Sequence, residues 1–340
     1  MFGYGEADLE ARGAGATARE IAQQPALWRE VGELVAEAPA EPRRRIVLTG
    51  AGSSAFAGEI VAPAIAQRRR ARVDAVPTTD IVATPRACFA EDVPTLLVSF
   101  ARSGDSPESV AATELAEEML TDCAHLVITC NAEGELNRRH AGRDGSHVVL
   151  LPDAANDRGF AMTSSLTSMA LAALIALGAT PDVERIAAEG EQVLGTLDDV
   201  PELEGIERVV YLGSGSLHGL AKEAALKLLE LTAGRLVAFG DSSLGFRHGP
   251  KAVLDAAALP IVFVSSDPYT RAYDLDIVRE LPGAVALESE LRDAEAALVH
   301  AIRAQAIALR ASLAHGLAPD DPFPDGEVNR VVQGVTIHEL

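Results

Sequence analysis

Apolar residues occur in two rhythms along this chain. The segments 45–49, 72–76, 95–99, 125–130 and 147–151 are short runs rich in Val, Leu, Ile and Thr, which predicts strands. Longer stretches with helical spacing separate them. In the lead-in, 17–37, Leu27, Val31, Leu34 and Val35 recur about one helical turn apart. Strands alternating with helices predict a parallel sheet covered on both faces. The pattern then restarts, with a strand at 208–212, a tight turn at 213–216, a helix at 217–231 and strands at 235–239 and 260–265. The restart aligns Gly50, Ala51, Gly52 and Ser53 with Gly213, Ser214, Gly215 and Ser216. A duplicated α/β unit follows, broken near 190–207, where Gly195 and Pro201 fall among acidic residues.

The expected organisation is a helical lead-in (1–40), a first α/β domain (41–190), a second (191–318) and a C-terminal tail (319–340). The apolar stretch 166–179 is too short to span a bilayer and contains Thr167 and Ser168, so it predicts a buried core helix.

Composition narrows the function. Of 340 residues 48% are hydrophobic, enough for a full core. The net charge of −21 opposes a nucleic-acid partner. An anionic ligand would need a local positive potential, which helix N-termini supply. The three cysteines, Cys88, Cys123 and Cys130, form no C-x-x-C pair, which fits a reducing compartment. Residues 1–20 lack the apolar core of a signal peptide, so the expectation is a cytoplasmic protein without a membrane partner.

Two loops concentrate small and hydroxyl-bearing residues where a strand gives way to a helix. The first is Gly50, Ala51, Gly52, Ser53 and Ser54. Glycines permit a tight turn, and the N–H groups at a helix start attract an anion. Plain capping by serine accounts for the same residues. The spacing Gly50-x-Gly52-x-x-Ala55, with Asp74 in the next strand, also fits a dinucleotide fingerprint. Two observations weigh against it. In the restarted pattern His218 stands where the third small residue belongs, and a second hydroxyl-rich loop follows the third strand: Arg102, Ser103, Gly104, Asp105, Ser106, Pro107 and Glu108. There Ser106 suits the N-cap and Pro107 the first helical position. Both loops lie at carboxyl ends of neighbouring strands, where open α/β sheets bind ligands. Hydroxyls and amides without a Lys–Arg cluster favour a phosphomonoester on a neutral body.

Candidate acid–base residues come later. Glu223, Lys227 and Glu230 are spaced by four and three, so they share a helix face. That face is either a surface ion-pair ladder or, beside Leu220, Ala224, Leu228 and Leu231, a half-buried base for proton transfer. His248 lies between Arg247 and Gly249-Pro250, a stiffened polar loop of the kind that carries function. No metal-ligand spacing appears among the histidines, so neither a metal nor another cofactor is assigned.

Together these motifs resemble the sugar isomerase (SIS) domain superfamily. The arrangement is similar to the isomerase half of glucosamine-6-phosphate synthase, and closer to the tagatose-6-phosphate ketose/aldose isomerase (galactosamine-6-phosphate deaminase/isomerase) family. The stretches at 19–28, 211–217, 244–251 and 329–336 carry the closer likeness, which extends over nearly the whole chain.

The resemblance implies two tandem SIS domains, each a five-stranded parallel sheet flanked by helices. It implies that a hexosamine 6-phosphate lies with its phosphate on Ser53, Ser54, Ser103 and Ser106, with Gly52 and Arg102 in the same loops. Glu230 would move a proton between C1 and C2. His248 would open the sugar ring from the neighbouring subunit of a homodimer, and Lys227 would lie near the sugar. The tail would close over the site through Val332 and Gln333.

Some positions depart from the family patterns. Ala101 replaces a serine, Gln333 replaces a lysine, and 159–164 reads differently from the synthase. With no glutaminase segment, the expected reaction releases ammonia. That makes the chain a hexosamine-6-phosphate deaminase/isomerase, with galactosamine 6-phosphate as the first substrate to consider. A sugar-phosphate sensor, or an isomerase of unaminated sugar phosphates, is the alternative.

Overall fold

The computed structural model describes residues 2–38, 43–69, 71–197, 201, 203–331 and 334–340. By contact the chain divides into two compact units. One contains Leu27–Asn156, Ser165–Pro181 and Val328–Leu340; the other contains Met1–Ala26, Asp157–Ser164 and Asp182–Glu327.

The first unit is built on β1 (Arg45–Thr49), β2 (Arg72–Ala75), β3 (Thr95–Ala101), β4 (Cys123–Thr129) and β5 (Ser146–Leu150). All neighbours are parallel, in the order β2-β1-β3-β4-β5. Every residue of β1 and β3 is buried, which explains their unbroken apolar runs. On one face Val47 and Leu97 pack with Ile81, Phe89, Ala112 and Ala116 from the helices. The expected core helix is Ser164–Ala176, buried along almost its whole length. Its Thr167 hydroxyl accepts a hydrogen bond from the indole N–H of Trp28 at 3.0 Å, so the lead-in tryptophan is a core residue with a satisfied polar edge.

The second unit holds β6 (Arg208–Gly213), β7 (Val237–Ser242), β8 (Ala258–Val264) and β9 (Val285–Glu288), again all parallel, in the order β7-β6-β8-β9. This repeats the order of β2-β1-β3-β4, so the restart seen in sequence is a repeat of topology. The expectation of five strands in each sheet holds for the first and not for the second, which has four among the described residues. The chain after β9 turns at once into the helix Asp293–Ala314, and that helix buries the apolar residues a fifth strand would need. The strand expected at 235–239 begins later, at Val237. Ala233 and Gly234 both take positive φ (47° and 71°), and the Leu236 N–H bonds back to the Thr232 hydroxyl at 3.4 Å. Those residues end the preceding helix.

Among the described residues no helix is long and apolar enough to cross a membrane.

Candidate active site

The first loop is shaped by two glycines with different tasks. A Cβ on Gly50 would lie 2.6 Å from the backbone carbon of Ser54, so only glycine lets the helix Ser53–Arg69 begin so close to β1. Gly52 has φ +56°, a conformation that L side chains resist. Ser53 and Ser54, both buried, occupy the first turn of that helix.

The second loop leaves β3, whose last residues run beside β1 in the register Thr49↔Ser99. The two loops therefore emerge side by side from one sheet edge. Gly104 turns with φ +73°. The amide of Asn131, beyond β4, donates to the Ser103 carbonyl at 2.8 Å, and the Glu135 N–H donates to Asp105 at 2.9 Å. The hydroxyl of Ser106 donates to that of Ser109 at 2.6 Å, at the start of the helix Pro107–Met119. Hydroxyls and helix N-termini converging on one edge suit an anion. Buried Arg102 donates to the Arg330 carbonyl at 3.0 Å, so it fastens the tail next to this loop. Val332 and Gln333 lie outside the described residues.

The equivalent loop of the second sheet has the same backbone and a different content. A Cβ on Gly213 would meet the Leu217 carbonyl oxygen at 2.5 Å, and Gly215 has φ +55°. Here the hydroxyls of Ser214 and Ser243 both donate to Oδ1 of Asp274 at 2.6 Å, and the Ser265 N–H donates to its Oδ2 at 3.0 Å. Asp274 is fully buried. A carboxylate of the chain itself thus takes the Ser214 hydroxyl of this loop, together with donors that follow β7 and β8.

The helix Ser216–Leu231 carries the predicted acid–base group. Glu223 and Lys227 are buried, and Glu230 is half-buried. The Lys227 ammonium bonds to Glu230 Oε2 and lies 3.6 Å from Glu223 Oε1. Of the two sequence readings, a surface ladder is excluded for Glu223 and Lys227. A buried ammonium between two carboxylates instead fixes their positions.

His248 ends the short turn Gly245–His248 and is exposed. Its flanks are held: Arg247 pairs with Glu280 at 2.7 Å, and Lys251 pairs with the same carboxylate. Among the described residues the imidazole forms no hydrogen bond, and none joins it to the Glu223–Lys227–Glu230 group. Asp74 of the dinucleotide reading is engaged by Arg45 at 2.6 Å and Arg72 at 3.0 Å, an ion-pair role within the first unit.

Four further residues were not singled out from sequence: Asn131, Asp274, Glu20 and Asp157. Asp157 accepts from the Thr163 and Ser164 N–H groups at 2.8 and 2.9 Å, and Glu20 accepts from the N–H groups of Arg158 and Gly159. These two carboxylates brace 158–164, which includes 159–164, the stretch that departs from the synthase pattern. Burial, then the charge of Asp157, pushes the Glu20 carboxyl up to about 7. No local sequence signal marks Asp157, which lies six and seven residues ahead of the N–H groups it accepts.

Residues 41–178 match the family model for the SIS domain. The chain is 54% identical to the AgaS protein of Streptomyces coelicolor, with 95% of each chain covered. It is 46% identical to the D-galactosamine-6-phosphate deaminase AgaS of Escherichia coli, over 86% of this chain and 85% of that one. The chain belongs to the AgaS family of SIS-domain proteins. Among solved structures, the tagatose-6-phosphate ketose/aldose isomerase of Escherichia coli matches this AgaS-family chain with a TM-score of 0.83 at 39% identity. That match covers 95% of this chain and 96% of the other. The resemblance read from the glycine, serine and Arg-His-Gly-Pro motifs is thereby borne out.

Proposed function

We propose that this AgaS-family protein converts D-galactosamine 6-phosphate and water to tagatose 6-phosphate and ammonia. The observation that carries the reading is the Glu223–Lys227–Glu230 group: a half-buried carboxylate held in place by a buried ammonium. The names of the Escherichia coli deaminase and isomerase supply the sugar.

The phosphate is held by Ser53, Ser54, Ser103 and Ser106 and by the two helix N-termini behind them. Gly52 and Arg102 shape that cradle. His248, contributed by the neighbouring subunit of a homodimer, assists opening of the pyranose ring. Glu230 removes the C2 proton of the open-chain amino sugar, giving the C1–C2 enaminol, and returns a proton to C1. This leaves an imine at C2. Water adds to C2, the C–N bond breaks and ammonia departs, leaving the 2-ketose. Lys227 keeps Glu230 in position during both transfers. The tail, which Arg102 fastens through the Arg330 carbonyl, limits water at the enaminol. The route uses side chains alone, and the enzyme works in the cytoplasm.

A second reading is isomerisation of an unaminated sugar phosphate. The same proton transfer would serve it, and the solved Escherichia coli relative is named for such a reaction. A sensor would need neither Glu230 nor His248, and their presence weighs against one.

The test is ammonia release from galactosamine 6-phosphate, with glucosamine 6-phosphate alongside and ketohexose phosphate assayed in step. Release matched to ketose formation supports the proposal. Silence on both amino sugars, with interconversion of tagatose 6-phosphate and its aldose, would replace it with the isomerase reading.

A further inference from the structure

Glu117, His125 and His140 are far apart in sequence and come together at the amino-terminal edge of the first sheet. His125 is the third residue of β4, and Glu117 lies in the last turn of the helix before it. His140 is the last residue of the helix after it, Glu135–His140. Both helices run back toward the edge at which β4 begins. The serine loops lie at the opposite, carboxyl edge of the same sheet. We propose that these three side chains form a binding site for a divalent transition-metal ion of the zinc type.

Each residue offers one ligand atom, and the three atoms lie within 4.8 Å of one another. The Glu117 Oε1 to His125 Nε2 distance is 3.1 Å. A tetrahedral ion with arms of about 2.0–2.1 Å spaces its ligands by about 3.3 Å, so one edge of the tetrahedron is already formed. Side-chain shifts of about 1 Å would close the others.

The imidazoles are prepared for that role. His140 Nδ1 lies 2.9 Å from the Ser146 hydroxyl. A hydrogen bond on one ring nitrogen directs the other, Nε2, toward a metal. His125 is 4% exposed, and neither ring nitrogen has a well-aligned hydrogen bond among the described residues. The contact of His125 Nε2 with Glu117 is poorly aligned, and a metal bond would satisfy that nitrogen better. The rings sit 4.6 Å apart, tilted by 42°. Two imidazoles and one carboxylate match the donors that zinc accepts in three-residue sites, with water in the fourth position. They do not match the all-oxygen shells of magnesium or calcium.

Arg143 is the competitor. Its guanidinium holds Glu117 by two contacts, at 2.7 and 3.1 Å, from the solvent side. Its side chain is half exposed. Arg139 and Cys123 are the other charged or titratable groups nearby. Loading therefore exchanges a guanidinium for a metal ion on one carboxylate. The ion would bind β4 to the helices on either side of it, at the sheet edge opposite the serine loops, so its expected effect is on stability.

The experiment uses tag-free protein stripped with a chelator and titrated with Co2+, then Zn2+. The expected result is one Co2+ per chain, with the visible d–d band of a low-coordinate ion, displaced by Zn2+ and accompanied by a rise in Tm. Glu117→Gln and His140→Gln abolish the band while circular dichroism and ammonia release persist. Arg143→Gln, which removes the competitor, tightens binding severalfold. Absence of the band in the wild type would overturn the proposal. So would a band that survives Glu117→Gln, since the ion would then lie elsewhere. Should His140→Gln fail to fold, the half-exposed Glu117 and Arg143 variants decide the matter.

Discussion

The Ser214 hydroxyl donates to Oδ1 of Asp274 at 2.6 Å, so the glycine-serine turn of the second sheet already holds an anion that belongs to the chain. In the first sheet Thr113 stands on the helix Pro107–Met119 where Asp274 stands on Pro268–Glu280, six residues after the leading proline. This difference supports the proposal that phosphate binds at the first sheet. Asp274→Ala strands two hydroxyls and one N–H, and should lower stability by about 2–4 kcal/mol in urea unfolding. The KM for the amino sugar phosphate should stay near wild type. A folded variant with a sharply raised KM would mean that the cradle has been assigned to the wrong sheet.

Glu230→Gln keeps the shape of the side chain and removes the base. The expected outcome is a kcat lower by about 10²–10⁴-fold with KM little changed. Loss of deuterium from C2-labelled substrate should slow in parallel. Wild-type turnover would end the proton-transfer assignment. Mixing Glu230→Gln with His248→Ala protein should restore part of the activity, as expected if each site takes residues from two subunits.

Ser103→Ala removes one hydroxyl from the proposed phosphate cradle while Asn131 still holds the backbone turn. KM should rise about tenfold or more, as for the loss of one hydrogen bond to a charged group. An unphosphorylated amino sugar should show no such change. An equal effect on both ligands would point to a collapsed loop.

Glu20 sets a pH dependence. Its ordinary carboxyl value is 4.5, and burial together with Asp157, then Asp320, raises it to about 7 in the folded chain. The folded state therefore favours the protonated form. The contribution of Glu20 is complete below the unfolded value and is lost as pH rises through about 7. Unfolding free energy should fall between about pH 5 and pH 8, and Glu20→Gln should flatten that slope. An unchanged slope in the variant would assign the titration elsewhere.

Much of this was legible in sequence because the signals are local. Buried parallel strands read as apolar runs, and the turn after β1 needs glycine at positions 50 and 52 whatever the rest of the chain does. The Glu223, Lys227 and Glu230 spacing follows from one helix. Asp274 was not legible, since it reaches Ser214, Ser243 and Ser265 only after the sheet has assembled. Asn131 braces Ser103 across a strand, for the same reason. The later start of β7 was hidden because Arg235 and Leu236 have strand-like neighbours, yet serve a helix end that positive φ at Ala233 and Gly234 creates.

Neither compact unit is a continuous stretch of chain. The second unit draws on Met1–Ala26, Asp157–Ser164 and Asp182–Glu327, and the first takes back Val328–Leu340. A ribosome releases these pieces in an order that completes the second unit only at Glu327 and the first only with Val328–Leu340. The N–H groups of Ala16 and Thr17, at the start of the helix Gly15–Leu34, must wait for Asp320, which is made 303 residues or more later. Cutting the gene at either sheet boundary would therefore give two fragments that each lack part of their own core, and co-expressed halves should recover structure that neither attains alone.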